Sequence, residues 1–358
     1  MRALRVGLVG ASYAAGTHLP VYAALAEAGV VEVVAVATAH QDTADAVARE
    51  FGVPRAYAGY EALCADPDVE LVDVATRPSW HRAMAGSALA AGKHVLCEAP
   101  LAPSVAEGVA LTESAAAAGR VGLVDMQSRF WPGLVELRKL VRGGFIGRVD
   151  NVAATAFYPT FTRPEAIHSS GWCAVAENGA SSLRVHGLHT ADLLRWVFGE
   201  LHDVRGTVAT RELSWPGPDG PIAADSVDSA AFTARTPDGA VCSVHTSWVA
   251  RFGAGWRLIV HGSEGMLLAE ASGHTGHFPV RLSGARGEDP HLRELVAPSG
   301  EATYPFTQLI SRVAAHLTAR GDPGAAPDLP SFADGVAALR IAERLQDPHV
   351  ARPDEART

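Results

Sequence analysis

Cysteine is scarce in this chain. Four occur in 358 residues, Cys64, Cys97, Cys173 and Cys242, far apart and without the close pairs that bind zinc. They read as buried thiols in a reducing compartment, with no disulfide framework and no metal. Basic charge is not concentrated either. The net charge is −9, and the absence of any Lys/Arg run argues against a nucleic-acid partner. The apolar stretches are too short for a bilayer span, each broken by Gly or a charge. Met1-Arg2 leads directly into a strand-like run, with no secretory signal pattern. No internal repeat is present. A soluble, cytoplasmic protein that binds no membrane is expected.

What is present is a globular composition, 48% hydrophobic and 19% charged, in a chain long enough for about two domains. Residues 4–9, 31–37, 70–76, 93–98 and 120–126 are strand-like runs. Helical patterns over 14–28, 42–51, 81–91 and 105–118 separate them. Continuous apolar strands alternating with helices predict an α/β, Rossmann-type, doubly wound parallel sheet over residues 1–125. From about residue 147 the pattern changes. Strands are predicted at 149–157, 201–210, 227–235, 240–250, 255–262 and 265–270, several joined by Gly-containing turns. Helices are predicted at 188–198 and 332–346. The second domain, 126–346, is therefore α+β with a largely antiparallel open sheet, and 347–358 is a loose tail.

The turn after the first strand reads Gly10-Ala11-Ser12-Tyr13-Ala14-Ala15-Gly16. Gly10 and Ala15 fit the first and third positions of the dinucleotide fingerprint, and Ser12 replaces its middle glycine. Such a turn lets backbone N–H groups at a helix N-terminus approach a pyrophosphate. The second strand ends Ala37-Thr38-Ala39-His40-Gln41, with neither an acid for a ribose hydroxyl nor an Arg for a 2′-phosphate. The cofactor is NAD or NADP, and the sequence does not choose between them.

Ordered segments along nearly the whole chain resemble the Gfo/Idh/MocA oxidoreductase family. They include the first turn with His18, Thr76-Arg77-Pro78 with His81, GKHVLCEAPLA at 92–102, RFWP at 129–132 and GFIGRV at 144–149. GLHTADLL at 187–194, HGSEGMLLAE at 261–270 and SFADGVAALR at 331–340 continue the series. The resemblance implies a cofactor site at Gly10, Ser12, Tyr13, Ala14, Thr38, Thr76, Arg77, Pro78, His81, Glu98, Ala99 and Gln127. It also implies a homo-oligomer, a dimer or tetramer, formed through the open sheet face of the second domain. Two departures stand out. Ala99 replaces the family's catalytic Lys, and Val185 replaces the Asp of its Asp-x-Gly-x-His motif, of which Gly187 and His189 remain. The galactose-regulon repressor-like branch of the family departs at the same places, and the chain resembles that branch.

Hydride transfer at a carbinol needs a partner for the hydroxyl proton. Ala99 cannot be one. His189 is the best remaining group, since imidazole titrates near neutrality. His186, three residues earlier, either shares its helix face and stands in for the missing Asp or simply packs. Arg129, Tyr158 and Trp172 are candidate substrate contacts, with His168 in the same loop. The preferred function is an NAD(P)-dependent oxidoreductase acting on a sugar, cyclitol or related metabolite. The alternatives are a non-catalytic dinucleotide-binding regulator, or a non-redox enzyme that retains the cofactor for elimination or isomerisation.

Overall fold

The computed structural model describes residues 2–163, 167, 170–319 and 328–346. His168 and the 347–358 tail lie outside the described residues. The chain divides into two compact units, Met1–Gln127 with Phe306–Ala337, and Ser128–Pro305 with the residues from Ala338 on. The return of 306–337 to the first unit has no counterpart in the sequence reading. Among the described residues no helix is long and apolar enough to cross a membrane.

The first unit is built on a six-stranded sheet. Its strands are β1 (Leu4–Val9), β2 (Val31–Thr38), β3 (Ala56–Ala58), β4 (Leu71–Val74), β5 (His94–Cys97) and β6 (Gly122–Val124). The order is β3-β2-β1-β4-β5-β6, and every pairing is parallel. The inner strands are buried along almost their whole length, as strands covered on both faces must be. Helices α1 (Ser12–Gly16), α2 (His18–Glu27), α3 (Gln41–Phe51), α4 (Tyr60–Ala65), α5 (Pro78–Ala90) and α6 (Val105–Ala118) connect them. The single helix expected over 14–28 is in fact two. It breaks at Thr17, which has φ −124° and whose Oγ1 donates to Tyr13 O at 2.8 Å. A β-branched residue that satisfies a carbonyl with its own hydroxyl is a natural interruption. β3 and α4 carry too few residues to show a periodicity and were not foreseen.

The second unit opens with α7 (Pro132–Arg142) and contains β7 (Val149–Phe157) and α8 (Leu188–Phe198). It continues through β8 (His202–Ala209), β9 (Ser214–Gly217), β10 (Gly220–Ala223), β11 (Ser229–Arg235) and β12 (Val241–Ser247). β13 (Gly255–Gly262), β14 (Gly265–Ala271), β15 (Arg281–Arg286) and β16 (Arg293–Val296) complete its strands. Eight strands form one sheet in the order β16-β15-β14-β13-β7-β12-β11-β8, antiparallel except for the β7–β12 pair. β9 and β10 form a separate hairpin. The alternation of buried and exposed residues along β11 and β12 puts one face of the sheet on the core. That core joins Val152, Ala154, Leu258 and Val260 of the sheet to Leu193, Leu194 and Val197 of α8. Two further helices follow in the chain, α9 (Tyr304–Thr318), which belongs to the first unit from Phe306 on, and α10 (Phe332–Gln346), which belongs to the first unit up to Ala337 and to the second from Ala338.

Candidate active site

In the first unit the turn after β1 is forced to be glycine. Gly10 has φ +119°, and a Cβ there would lie 2.2 Å from Ala75 O. Its N–H donates to Ala37 O at 2.9 Å, so the turn is sewn to the end of β2. α1 begins directly after, and no side chain caps its first N–H groups. A bare backbone cradle without a Cβ and an uncapped helix start fit a pyrophosphate. Ser12 and Tyr13 are exposed beside it. Ala14 points the other way. Its methyl is fully buried among Leu8, Leu19, Val36 and Ala75, which leaves only its backbone for a cofactor.

Thr38 closes β2, its Oγ1 donating to His40 O at 2.7 Å. At the end of β4, Thr76 leads into exposed Arg77, and buried Pro78 starts α5. His81, expected at the cofactor site, sits between two backbone carbonyls. It is fully buried, with Nδ1 3.0 Å from Pro100 O and Nε2 3.1 Å from Thr76 O, two carbonyls of which the neutral ring can donate to one. Burial lowers its pKa. Gln127 is buried, and its N–H donates to Asp125 Oδ1 at 3.1 Å.

Glu98, Ala99 and Asp125 sit at the carboxyl ends of β5 and β6, where an open α/β sheet gathers its ligands. Ala99 N–H donates to Glu98 Oε2 at 3.1 Å. Glu98 also joins a buried network that the sequence did not reveal. His18 Nδ1 lies 2.7 Å from Asp73 Oδ2, and its Nε2 lies 2.9 Å from Glu98 Oε1 and 3.9 Å from Asp125 Oδ2. Tyr22 OH donates to the same Asp73 oxygen at 2.8 Å, and Phe306 stacks on the His18 ring at 4.1 Å. Carboxylates only accept, so both ring nitrogens of His18 donate and the ring is an imidazolium. Burial opposes that charge, but Asp73 and Glu98 outweigh it and raise the His18 pKa well above 6.5. Burial and then repulsion from Glu98 push Asp125 well above the usual carboxylate range. The ring nitrogen and the Glu98 and Asp125 oxygens lie within 4.8 Å of one another, and the imidazolium supplies the positive charge that a cation would bring.

In the second unit a π-helical turn over Leu183–Gly187 runs straight into α8, so the helix has indeed begun at His186. π-turns inside helices often accompany functional sites. His186 and His189 are brought together through a third imidazole, His274, from the loop between β14 and β15. Its ring centroid lies 4.7 Å from that of His186 and 4.9 Å from that of His189. His277 follows at 6.1 Å, and Tyr158 packs edge-on to His186 at 4.5 Å. The Tyr158 hydroxyl and His186 Nδ1 are buried and have no hydrogen-bond partner among the described residues. Burial, then His189 and His277, pull the His186 pKa down to about 3. A neutral imidazole carries no negative charge, so His186 cannot replace the charge of the family's Asp. Burial also raises the Tyr158 phenol, which stays protonated.

Arg129, expected to contact substrate, is paired with a carboxylate of its own unit. It is 3% exposed, and Asp192 of α8 holds it bidentately, with Nε 2.7 Å from Oδ2. Trp172 packs on the cluster of Phe161, Trp215 and Trp248, and it is Trp248 that reaches His186, at 5.9 Å. His274, His277 and Trp248 were missed by the sequence reading. The spacing His274-x-x-His277 in a Gly-containing loop was the available signal. No lysine fills the gap at Ala99 from within the described network. The chain has two lysines. Lys93 Nζ donates to Asp66 O and Val69 O, and Lys139 pairs with Glu136 on the surface of α7.

A parallel sheet with a glycine-built phosphate turn, followed by a second unit carrying a buried imidazole cluster, defines a dinucleotide-binding oxidoreductase. Comparison with known proteins gives the family. Residues 4–126 match the oxidoreductase family with an NAD-binding Rossmann fold, and 134–268 match the GFO/IDH/MocA C-terminal domain. The chain belongs to the Gfo/Idh/MocA oxidoreductases. It is 27% identical to levoglucosan dehydrogenase of Pseudarthrobacter phenanthrenivorans over 379 residues, 96% of each chain. It is 31% identical to 1,5-anhydro-D-fructose reductase of Ensifer adhaerens over 265 residues, 74% of this chain and 75% of that one. An oxidoreductase domain protein from Kribbella flavida superposes with a TM-score of 0.85 at 26% identity, over 97% and 96% of the two chains. Gal80p of Saccharomyces cerevisiae shares the fold, with a TM-score of 0.83 at 16% identity over 96% and 95% of the two chains.

Proposed function

We propose that this chain interconverts a carbinol and a carbonyl on a sugar or anhydrosugar, using a nicotinamide dinucleotide and His189 as the acid–base group. The imidazole cluster around His189 supports this reading, because it supplies titratable nitrogen in a chain whose Ala99 offers none. The relatives named above, a levoglucosan dehydrogenase and an anhydrofructose reductase, support the substrate class. The dinucleotide supplies or receives the hydride. In the oxidation direction the substrate O–H bond breaks and an N–H bond forms on His189. In the reduction direction His189 returns that proton to the oxygen. Tyr158, a neutral phenol whose hydroxyl has no hydrogen-bond partner among the described residues, binds a substrate hydroxyl in this reading. Gly10, Ser12 and the start of α1 hold the pyrophosphate.

The test is a titration with NADH and with NADPH, followed by nicotinamide fluorescence and then by addition of levoglucosan, 1,5-anhydro-D-fructose and a panel of sugars and cyclitols. Binding of one dinucleotide and substrate-dependent change at the nicotinamide are expected. Binding with no turnover across the panel would transfer the chain to the regulator or non-redox reading. A homo-oligomer belongs to the same proposal. The sheet face turned away from the core carries small side chains, among them Ala153, Thr155, Ala231, Thr233 and Ser243, that let a second sheet approach closely. Light scattering after gel filtration is expected to give a multiple of 37.4 kDa, and a monomer mass would remove this part.

A further inference from the structure

We infer that His274 is a further catalytic residue, a neutral imidazole whose Nε2–H donates to the substrate oxygen on which charge develops. This rests on the proposed oxidoreductase reading. The tautomer follows from one hydrogen bond. Gly276 N–H lies 3.2 Å from His274 Nδ1, and a backbone N–H can only donate. Nδ1 is therefore the acceptor, and the proton of the neutral ring sits on Nε2. That Nε2–H is shielded from solvent and has no partner among the described residues. A buried donor left unpaired is costly unless a ligand satisfies it.

The ring is also held still. His277 and Phe278 N–H groups donate to His274 O at 2.9 and 3.0 Å, closing the loop on itself. The next residue, Thr275, is anchored on both sides, its Oγ1 2.9 Å from Ser128 Oγ and its carbonyl accepting from Trp131 Nε1. Fixed donors aimed at developing charge cost no reorganisation during the reaction. The groups facing His274 are Tyr158 just after β7, His186 from the π-turn, His189 from α8 and His277 from its own loop. Burial, then His186, His189 and His277, hold its pKa well below 6.5, so the ring keeps one proton and remains a donor.

In the reduction direction hydride adds to the carbonyl carbon and the C=O π pair moves onto oxygen. His274 stabilises that oxygen by hydrogen bonding and keeps its own proton. His189 transfers the proton that completes the alcohol. The division of labour is a fixed neutral donor beside a titrating acid–base group.

Two measurements test this on the full chain. In 15N-histidine-labelled protein, the His274 resonances are expected to show the neutral Nε2–H tautomer from about pH 5 to pH 8. An Nδ1–H tautomer, or an imidazolium near pH 7, would overturn the inference whether or not a substrate is in hand. In turnover, with the NADH-linked reduction of 1,5-anhydro-D-fructose as the probe, His274→Ala is expected to lower kcat by ~10²–10³-fold with the pH profile unchanged in shape. His274→Gln, whose side-chain amide can place an N–H near the same point, is expected to recover part of the loss. Wild-type turnover that His274→Ala leaves intact sinks the role of His274 alone. Absence of turnover in the wild type sinks the oxidoreductase reading with this probe, and the tautomer then decides whether His274 is a preset donor at all.

Discussion

His189→Asn is expected to lower kcat by ~10²–10⁴-fold while leaving dinucleotide binding unchanged. Asparagine keeps a polar side chain on the first turn of α8 but cannot exchange a proton near neutrality. His189 is 7% exposed, so water is a poor substitute at the same point. No lysine stands in reserve, since Lys93 is tied to two backbone carbonyls and Lys139 is on the surface of α7. His186 cannot take over as a charged group either, because its pKa near 3 keeps it neutral throughout the working range. It follows that the pH–rate profile contains no limb from His186 above about pH 5. Steady-state kinetics of the variant beside a fluorescence titration with NADH separate the two effects. A variant that turns over at the wild-type rate would remove His189 from the chemistry.

The second large effect is on stability. His18→Leu is expected to destabilise the first unit by ~3–5 kcal/mol, because it leaves Asp73 and Glu98 buried without their common cation. The pH dependence has a definite sign. The folded-state pKa of His18 is raised well above the ordinary 6.5. Its contribution is therefore complete below about 6.5 and is lost as pH rises through the folded value. Asp125 acts in the same direction. Its folded pKa is also raised, so above its ordinary 3.8 the unfolded chain ionises while the folded one resists, and stability again falls as pH rises. Urea unfolding of the wild type is thus expected to shift to lower midpoint between about pH 6 and pH 9, with the slope reduced in His18→Leu. An unchanged slope in the variant would mean that the ring is neutral in the folded protein. Because this network lies at the ends of β4, β5 and β6, it also fixes Glu98 and the Ala99 segment beside the cofactor turn.

Local pattern was sufficient for much of the fold. The strands at 149–157 and 255–262 and the helices at 105–118, 188–198 and 332–346 have the limits that their periodicity implies. Burial on one face repeats at a spacing that a single stretch of chain displays by itself. α7 and α9 escaped notice although they are long. β15 and β16 were not expected either, although Gly287 and Asp289-Pro290 between them are turn residues. The strand expected at 120–126 contracts to Gly122–Val124, since Asp125 turns away to accept from Gln127 N–H.

By itself the sequence determined the glycine-built turn at Gly10, the parallel order of the first unit, the antiparallel character of the second, and the loss of the family Lys at Ala99. These are properties of a residue type at a position, or of a period within one element. Only the tertiary structure decided that 306–337 returns to the first unit, that Arg129 is bound by Asp192, that His81 sits between two backbone carbonyls, and that His18 is an imidazolium among three carboxylates. It alone brought His274 from a distant loop onto His186 and His189. Contacts between residues far apart in the chain leave no periodic trace, and the pKa of a buried group depends on which charges the folded chain places around it.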